Sequence, residues 1–204
     1  MQIILLILFW LLWCALHSVL ISHTARTYIQ RRYPVIIPWY RLAYNLFAVV
    51  SLVPLLFYGT ALRGETWFAW SGPWRIPQVF LLASALALFA AGARRYDFRE
   101  FMGLNQHKGR NDCAALTDDC SLDKDGILGI IRHPWYTAGI LIIWARPLDT
   151  AAILINLIVS GYLVLGAFLE ERKLVRRFGA EYDAYRRQVP MFLPLKWFRF
   201  RKQY

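Results

Sequence analysis

The chain predicts an all-α integral membrane bundle of about five transmembrane helices, the last two a hairpin, with a short cytoplasmic helix near the C-terminus. Three observations lead there. Hydrophobic residues make up 58% of the 204 residues at a mean hydropathy of +0.36, above the average for soluble domains, and the excess falls in blocks of membrane length. The formal net charge is +11, yet the basic residues lie beside the apolar blocks and form no separate basic domain, which favours a bilayer partner and no nucleic acid. The connections between blocks also differ sharply in Lys and Arg content. Residues 1–204 read as one membrane-embedded domain: three N-terminal spans over 1–93, a cytoplasmic loop over 94–134, a helical hairpin over 135–171 and a cytoplasmic segment over 172–204.

The first block, Met1 to Ile21, carries no charged residue and has the length of a span. Met1-Gln2 supplies no basic n-region, so the block reads as a retained helix rather than a signal peptide. His17 and Ser18 are its polar exceptions. His23 to Pro38 follows as a short polar connection with Arg26, Arg31 and Arg32. The second span runs from about Trp39 to Leu62, and i, i+3, i+4 spacing puts Arg41, Tyr44 and Asn45 on one helical face. Arg41 can snorkel to headgroups, whereas Tyr44 and Asn45 sit deeper and are expected to face the bundle interior. Pro54 need not end this span.

Gly64 to Ile76 holds Trp67, Trp70 and Trp74, an aromatic belt at the far interface. The third span, Pro77 to about Ala93, is rich in small residues suited to close packing and ends at Arg94-Arg95. Tyr96 to Ile131 is a long polar connection containing Asp97, Glu100, Asp112, Asp118, Asp119, Asp123 and Asp125. Asp123-Lys124-Asp125-Gly126 does not make an EF-hand, because the positions that need Gly and Glu fall on Leu128 and Pro134. Cys113 and Cys120, six residues apart, have neither a zinc spacing nor a disulfide framework, and with Cys14 they read as free thiols. No metal site is expected.

Trp135 to Ala145 is short for a span and is broken by Arg146-Pro147. Asp149 or Thr150 can cap the next helix, which runs through Leu169 to Glu170-Glu171 and ends at Gly179. Ala180 to Gln188 predicts a short helix ahead of Pro190. The connections Ser22–Pro38, Arg94–Arg132 and Glu170–Tyr204 hold three, seven and ten Lys or Arg, against two in Arg63–Ile76 and the lone Arg146. The positive-inside rule then puts the N-terminus outside and the C-terminus in the cytoplasm, with Arg132-His133 and Glu170-Glu171 on one face.

The stretch with chemical potential begins at Arg132-His133-Pro134-Trp135-Tyr136. It continues through the apolar hairpin to Glu170-Glu171 and closes with Phe178-Gly179-Ala180-Glu181-Tyr182-Asp183-Ala184-Tyr185 and Val189-Pro190-Met191-Phe192-Leu193-Pro194. Charges at the ends of membrane-length segments are costly unless they are paired, solvated or used. Pairing of Arg132 with the glutamates across the hairpin mouth is the bland alternative to a site. The ordered set resembles the isoprenylcysteine carboxyl methyltransferase and phospholipid methyltransferase superfamily over roughly the C-terminal third. His17-Ser18 and Arg41-Leu42-Ala43-Tyr44-Asn45 look more like its bacterial branches, which include methanethiol S-methyltransferases and a denitrification-associated membrane family. The segment Gly126 to Ile131 departs from the superfamily, with Leu128 and Gly129 in place of an aromatic and a base, which leaves the acceptor open.

The resemblance implies a methyltransferase of the bacterial inner membrane using S-adenosyl-L-methionine, with cofactor binding at His133 and at Glu170 and Glu171, and catalysis or substrate orientation at Arg132. The chemistry suits that cofactor. Glu170 and Glu171 can accept from its ammonium and ribose hydroxyls, and Arg132 and His133 can bind its carboxylate. Tyr136, Tyr182 and Tyr185 can cover adenine or face the sulfonium. Because Pro134 restricts His133 to extended geometry, Arg132 and His133 are expected to project apart, Arg132 toward a small or lipophilic acceptor. A membrane reductase using NADPH and a membrane protein without catalysis are the rivals. The adjacent glutamates would repel the phosphates of NADPH unless offset by Arg172, Lys173, Arg176 and Arg177.

Overall fold

The computed structural model describes residues 1–95, 102 and 121–194. Asp97, Glu100, Asp112, Asp118, Asp119, Cys113 and Cys120 lie outside the described residues. Among the described residues the α-helices are α1 (Gln2–Ile21), α2 (His23–Arg32), α3 (Ile37–Ala61), α4 (Arg75–Ala93), α5 (Pro134–Trp144), α6 (Thr150–Phe178) and α7 (Ala180–Gln188). Gln2–Ile21, Pro34–Ala61, Gly72–Ala93 and Thr150–Phe178 are long and apolar enough to cross a membrane. The protein is a helical integral membrane protein. Two compact units are formed, among the described residues 1–68 with 102 and 148–159, and 69–95 with 121–147 and 160–194.

In the first unit, Leu6 and Trp10 of α1 are buried with Ala151 and Ile155 of α6, and Leu52, Leu55 and Tyr58 of α3 pack against them. Gly59 lies against the tip of Ile155, where a Cβ would come within 2.9 Å of Cδ1. Tyr44 is buried, as its depth in the span predicted, and its hydroxyl lies 2.6 Å from His17 Nε2. Trp13 Nε1 donates to Ser51 Oγ at 3.0 Å. These bonds satisfy polar groups that would otherwise face hydrocarbon. Pro54 sits inside α3 without ending it. Asp149 is buried and caps α6 by accepting from Ala152 N at 2.8 Å. Leu148 exchanges backbone hydrogen bonds with Phe68, joining the loop after α3 to the start of α6.

The expected connection His23–Pro38 is largely helical instead. Ser22 Oγ accepts from Ala25 N at 3.2 Å and starts α2, Arg31 and Arg32 occupy its last turn, and Pro34 follows Tyr33. Its polar composition hid a capped helix that has no apolar stripe to reveal it.

In the second unit, α4 and α5 run antiparallel. Trp135 lies against Gly92 and donates to Phe89 O at 3.2 Å, while Gln78 Nε2 donates to Ala145 O at 2.8 Å and Trp70 Nε1 to Arg146 O at 3.0 Å. At 1.5 Å per residue α5 is only about 16 Å long, yet these contacts place its ends near the ends of α4. The hairpin closes on α6 through Trp144 Nε1 to Ser160 Oγ (3.0 Å), Gly139 beside Leu163 and Gly166 beside Tyr136. Gly179 adopts φ 56° between α6 and α7, a conformation that favours glycine. There α7 folds back, burying Tyr182, Tyr185 and Val189 against Leu174, Val175, Phe178 and Leu122.

Candidate functional site

Four pieces of the second unit meet at the mouth of the hairpin. Pro134 begins α5, so its missing N–H costs the helix nothing. The residues just before it are held by the chain beyond α7, because Arg132 N donates to Pro190 O at 3.0 Å and His133 N to Met191 O at 3.1 Å. Thr137, one turn into α5, is buried with its hydroxyl 3.0 Å from His133 O and 3.3 Å from Phe192 O. Residues 190–192 therefore form a strap across the start of α5. Opposite, α6 delivers Glu170 and Glu171 one turn past Gly166, which lies beside the Tyr136 ring.

The two carboxylates have different surroundings. Glu171 Oε1 receives Arg132 Nη2 at 2.8 Å and lies 3.3 Å from His133 Nε2, with side chains 8%, 9% and 4% exposed respectively. Arg132 Nη1 donates to Arg186 O at 2.7 Å, while its buried Nε has no hydrogen-bond partner among the described residues. Glu170 is 32% exposed; its Oε2 accepts from Tyr136 OH at 2.9 Å and lies 3.8 Å from His133 Nδ1. The His133 ring is flanked edge-on by Tyr136 at 5.3 Å and by Phe192 at 6.0 Å. One carboxylate is sealed in a buried ion pair; its neighbour is oriented by a phenol and open at one side.

One sequence expectation needs correction. Arg132 and His133 do not project apart but converge on the same oxygen of Glu171. His133 has ψ 66°, short of full extension, and the strap holds both backbone N–H groups, which turns the two side chains to one carboxylate. Arg132 thus pairs with Glu171 across the hairpin mouth while its Nε is left without a partner among the described residues. Tyr182 and Tyr185, expected to cover adenine or face the sulfonium, lie in the packing between α6 and α7. Both are buried, with rings 5.6 Å apart, and Tyr185 OH donates to Leu128 O at 2.6 Å. Burial pushes both phenols well above the ordinary tyrosine range, and the Glu171 charge adds to this at Tyr182 while Arg132 opposes it. The neutral phenol is thereby favoured at both.

Sequence reasoning missed Thr137, Arg186, Phe192 and Leu128. Val189-Pro190 and the residues after them stood out as a motif, but three of these contacts are made through backbone carbonyls, which carry no side-chain signature. Outside the site, Arg95 Nη2 pairs with Asp123 Oδ1 at 2.6 Å, which raises the Arg95 guanidinium's affinity for its proton, and Lys124 Nζ pairs with Glu181 Oε1 at 2.5 Å. Asp123 also accepts from Asp125 N at 3.0 Å. The Asp123–Asp125 segment is tied by these ion pairs to Arg95 and to α7.

A helical membrane protein with a carboxylate, guanidinium and imidazole site at one hairpin mouth is the class that fold and site define. Residues 5–190 match the family described as NnrU protein, and the chain belongs to that family. It is also similar to methanethiol S-methyltransferase 2 of Bradyrhizobium diazoefficiens, at 42% identity over 66 residues, which is 32% of this chain and 26% of the relative. Methanethiol S-methyltransferases of Crocosphaera subtropica (42% over 65 residues, 31% of this chain and 26% of theirs) and of a Pseudomonas species (39% over 66 residues, 32% and 25%) are similar in the same measure. Each match spans about a quarter of the relative's length. No solved structure matches.

Proposed function

We propose that this chain is an S-adenosyl-L-methionine-dependent methyltransferase of the bacterial inner membrane, its N-terminus outside, with its site opening to the cytoplasm and accepting a small or lipophilic methyl acceptor. The observation that carries this reading is the split between the sealed Glu171 and the open Glu170, in a membrane hairpin whose relatives include named methyltransferases. When bound, the cofactor supplies an electrophilic methyl group on a sulfonium.

The donor and acceptor set fits it. Glu170 has acceptor capacity left beyond its bond to Tyr136, which suits an ammonium or a ribose diol. The buried Nε of Arg132 is a donor awaiting an anionic or carbonyl oxygen. Glu171 holds the Arg132 guanidinium and the His133 ring at the mouth, so on this reading the buried carboxylate positions them while Glu170 meets the ligand. Direct displacement needs alignment and exclusion of water more than covalent help, and a rigid, largely buried mouth provides both. His133 and Tyr136 form the wall beside Glu170.

A thiol acceptor is supported by the relatives' names, and carboxylate and amine acceptors are the alternatives. The test uses purified protein in lipid nanodiscs with methyl-labelled cofactor and methanethiol. Labelled dimethyl sulfide is the expected product. Label passing only to carboxylates or amines overturns the thiol acceptor, and absence of transfer together with NADPH oxidation overturns the methyltransferase reading.

A further inference from the structure

The end of α6 carries a charge pattern that the site does not use. Its apolar run stops at Leu169, but the helix continues to Phe178. At about 100° per residue, Arg172, Lys173, Arg176 and Arg177 fall within about 140° of arc, while Glu171, Leu174, Val175 and Phe178 fall on the opposite side. The structure follows that division. Arg172, Lys173, Arg176 and Arg177 are exposed, whereas Glu171 is buried and the three apolar side chains pack against Tyr182, Tyr185 and Val189.

The acids of α7 are already committed to other cations: Glu181 to Lys124 at 2.5 Å and Asp183 to Arg186 at 2.8 Å. Among the described residues, no carboxylate is paired with Arg172, Lys173 or Arg176. The position of the face identifies its counter-charge. At 1.5 Å per residue, Arg172 lies about 4.5 Å and Arg177 about 12 Å along the helix from Leu169; with the hydrocarbon taken to end where the apolar run does, the face begins at headgroup level and ends near one Debye length beyond it. A fixed array of guanidinium and ammonium groups at that depth is complementary to phosphate diesters at the bilayer surface.

We infer that the basic face of α6, built on Arg172, Lys173 and Arg176 with Arg177 at its edge, is a docking surface for anionic phospholipid headgroups. The inference is independent of the methyltransferase reading, since it uses the face of α6 turned away from Glu171. A headgroup held there would brace the helical extension that presents Glu170 and Glu171.

The experiment reconstitutes the full chain in nanodiscs of phosphatidylcholine, with or without phosphatidylglycerol, and counts co-purifying lipids by native mass spectrometry. The wild type should retain phosphatidylglycerol over phosphatidylcholine. Arg172→Gln, Lys173→Gln and Arg176→Gln together should erase that preference, at roughly fivefold per basic residue removed. Arg172→Lys with Arg176→Lys should preserve it, and helicity by circular dichroism controls for folding. Equal retention of the two lipids by the wild type overturns the proposal. An unchanged preference in the triple variant, or equal capture of inorganic phosphate by the same residues in detergent, also overturns it.

Discussion

Glu170 and Glu171 are chemically identical and adjacent, yet their surroundings differ. Consecutive helical residues point about 100° apart, so one turns into the mouth toward Arg132 and His133 while the other reaches its edge. Glu170→Gln is expected to weaken cofactor binding by about 1–3 kcal/mol with little change in melting temperature, because it removes an accessible charged acceptor. Glu171→Gln leaves Arg132 buried beside a neutral partner and should lower stability by about 3 kcal/mol or more. Titration calorimetry paired with thermal unfolding separates the two, and matching profiles in both variants contradict the division. The residue types of the site were legible in the sequence, but their partners were not. Adjacent glutamates look equivalent until burial distinguishes them, and Tyr182 and Tyr185 sat in a motif that suits stacking as well as support. Their protonation offers a second check. In the unfolded chain a phenol ionises near pH 10, whereas in the folded chain burial keeps both protonated beyond that. Stability from this source is intact below about pH 10 and is lost as pH rises toward the folded values, because only the unfolded state then gains by ionising. Tyrosinate absorbance should show two phenols titrating only as the C-terminal segment unfolds, and Tyr182→Phe with Tyr185→Phe should remove that late component. Reversible titration of all tyrosines with the exposed ones contradicts it.

At the scale of elements, hydropathy located the spans because water and hydrocarbon impose the strongest constraint on the chain. The Asp149 cap and the Gly179 end of α6 were legible too, since capping and positive φ select few residue types. The helix α2 was not, because it begins with a Ser22 cap and contains no apolar stripe. The strap was equally hidden, as its contribution runs through the carbonyls of Pro190, Met191 and Phe192. The pairing of α4 with α5 explains how an 11-residue helix serves in a membrane hairpin. That pairing rests on Gly92, where any side chain would enter the Trp135 indole. Gly92→Val should destabilise by about 1–3 kcal/mol through overpacking and loosen the position of Tyr136 one residue beyond Trp135. Thermal unfolding in detergent checks the first effect, and an unchanged midpoint contradicts the close approach.

For the whole molecule, the uneven basic residues of the connections carry the proposed orientation, and the same counts put Arg132 and Glu171 at one membrane face. Arg172→Cys, in a background without Cys14, Cys113 and Cys120, should react with a membrane-impermeant maleimide only in inverted vesicles. Labelling in intact spheroplasts contradicts a cytoplasmic site. The central claim is that the hairpin mouth binds a sulfonium cofactor through the open Glu170, and it is tested most directly by calorimetric titration of the purified wild type and Glu170→Gln with S-adenosyl-L-methionine and with NADPH. The account predicts saturable binding of S-adenosyl-L-methionine to the wild type, about tenfold or more weaker in Glu170→Gln, and none of NADPH. Binding of NADPH in its place, or equal S-adenosyl-L-methionine affinity in both proteins, would contradict it.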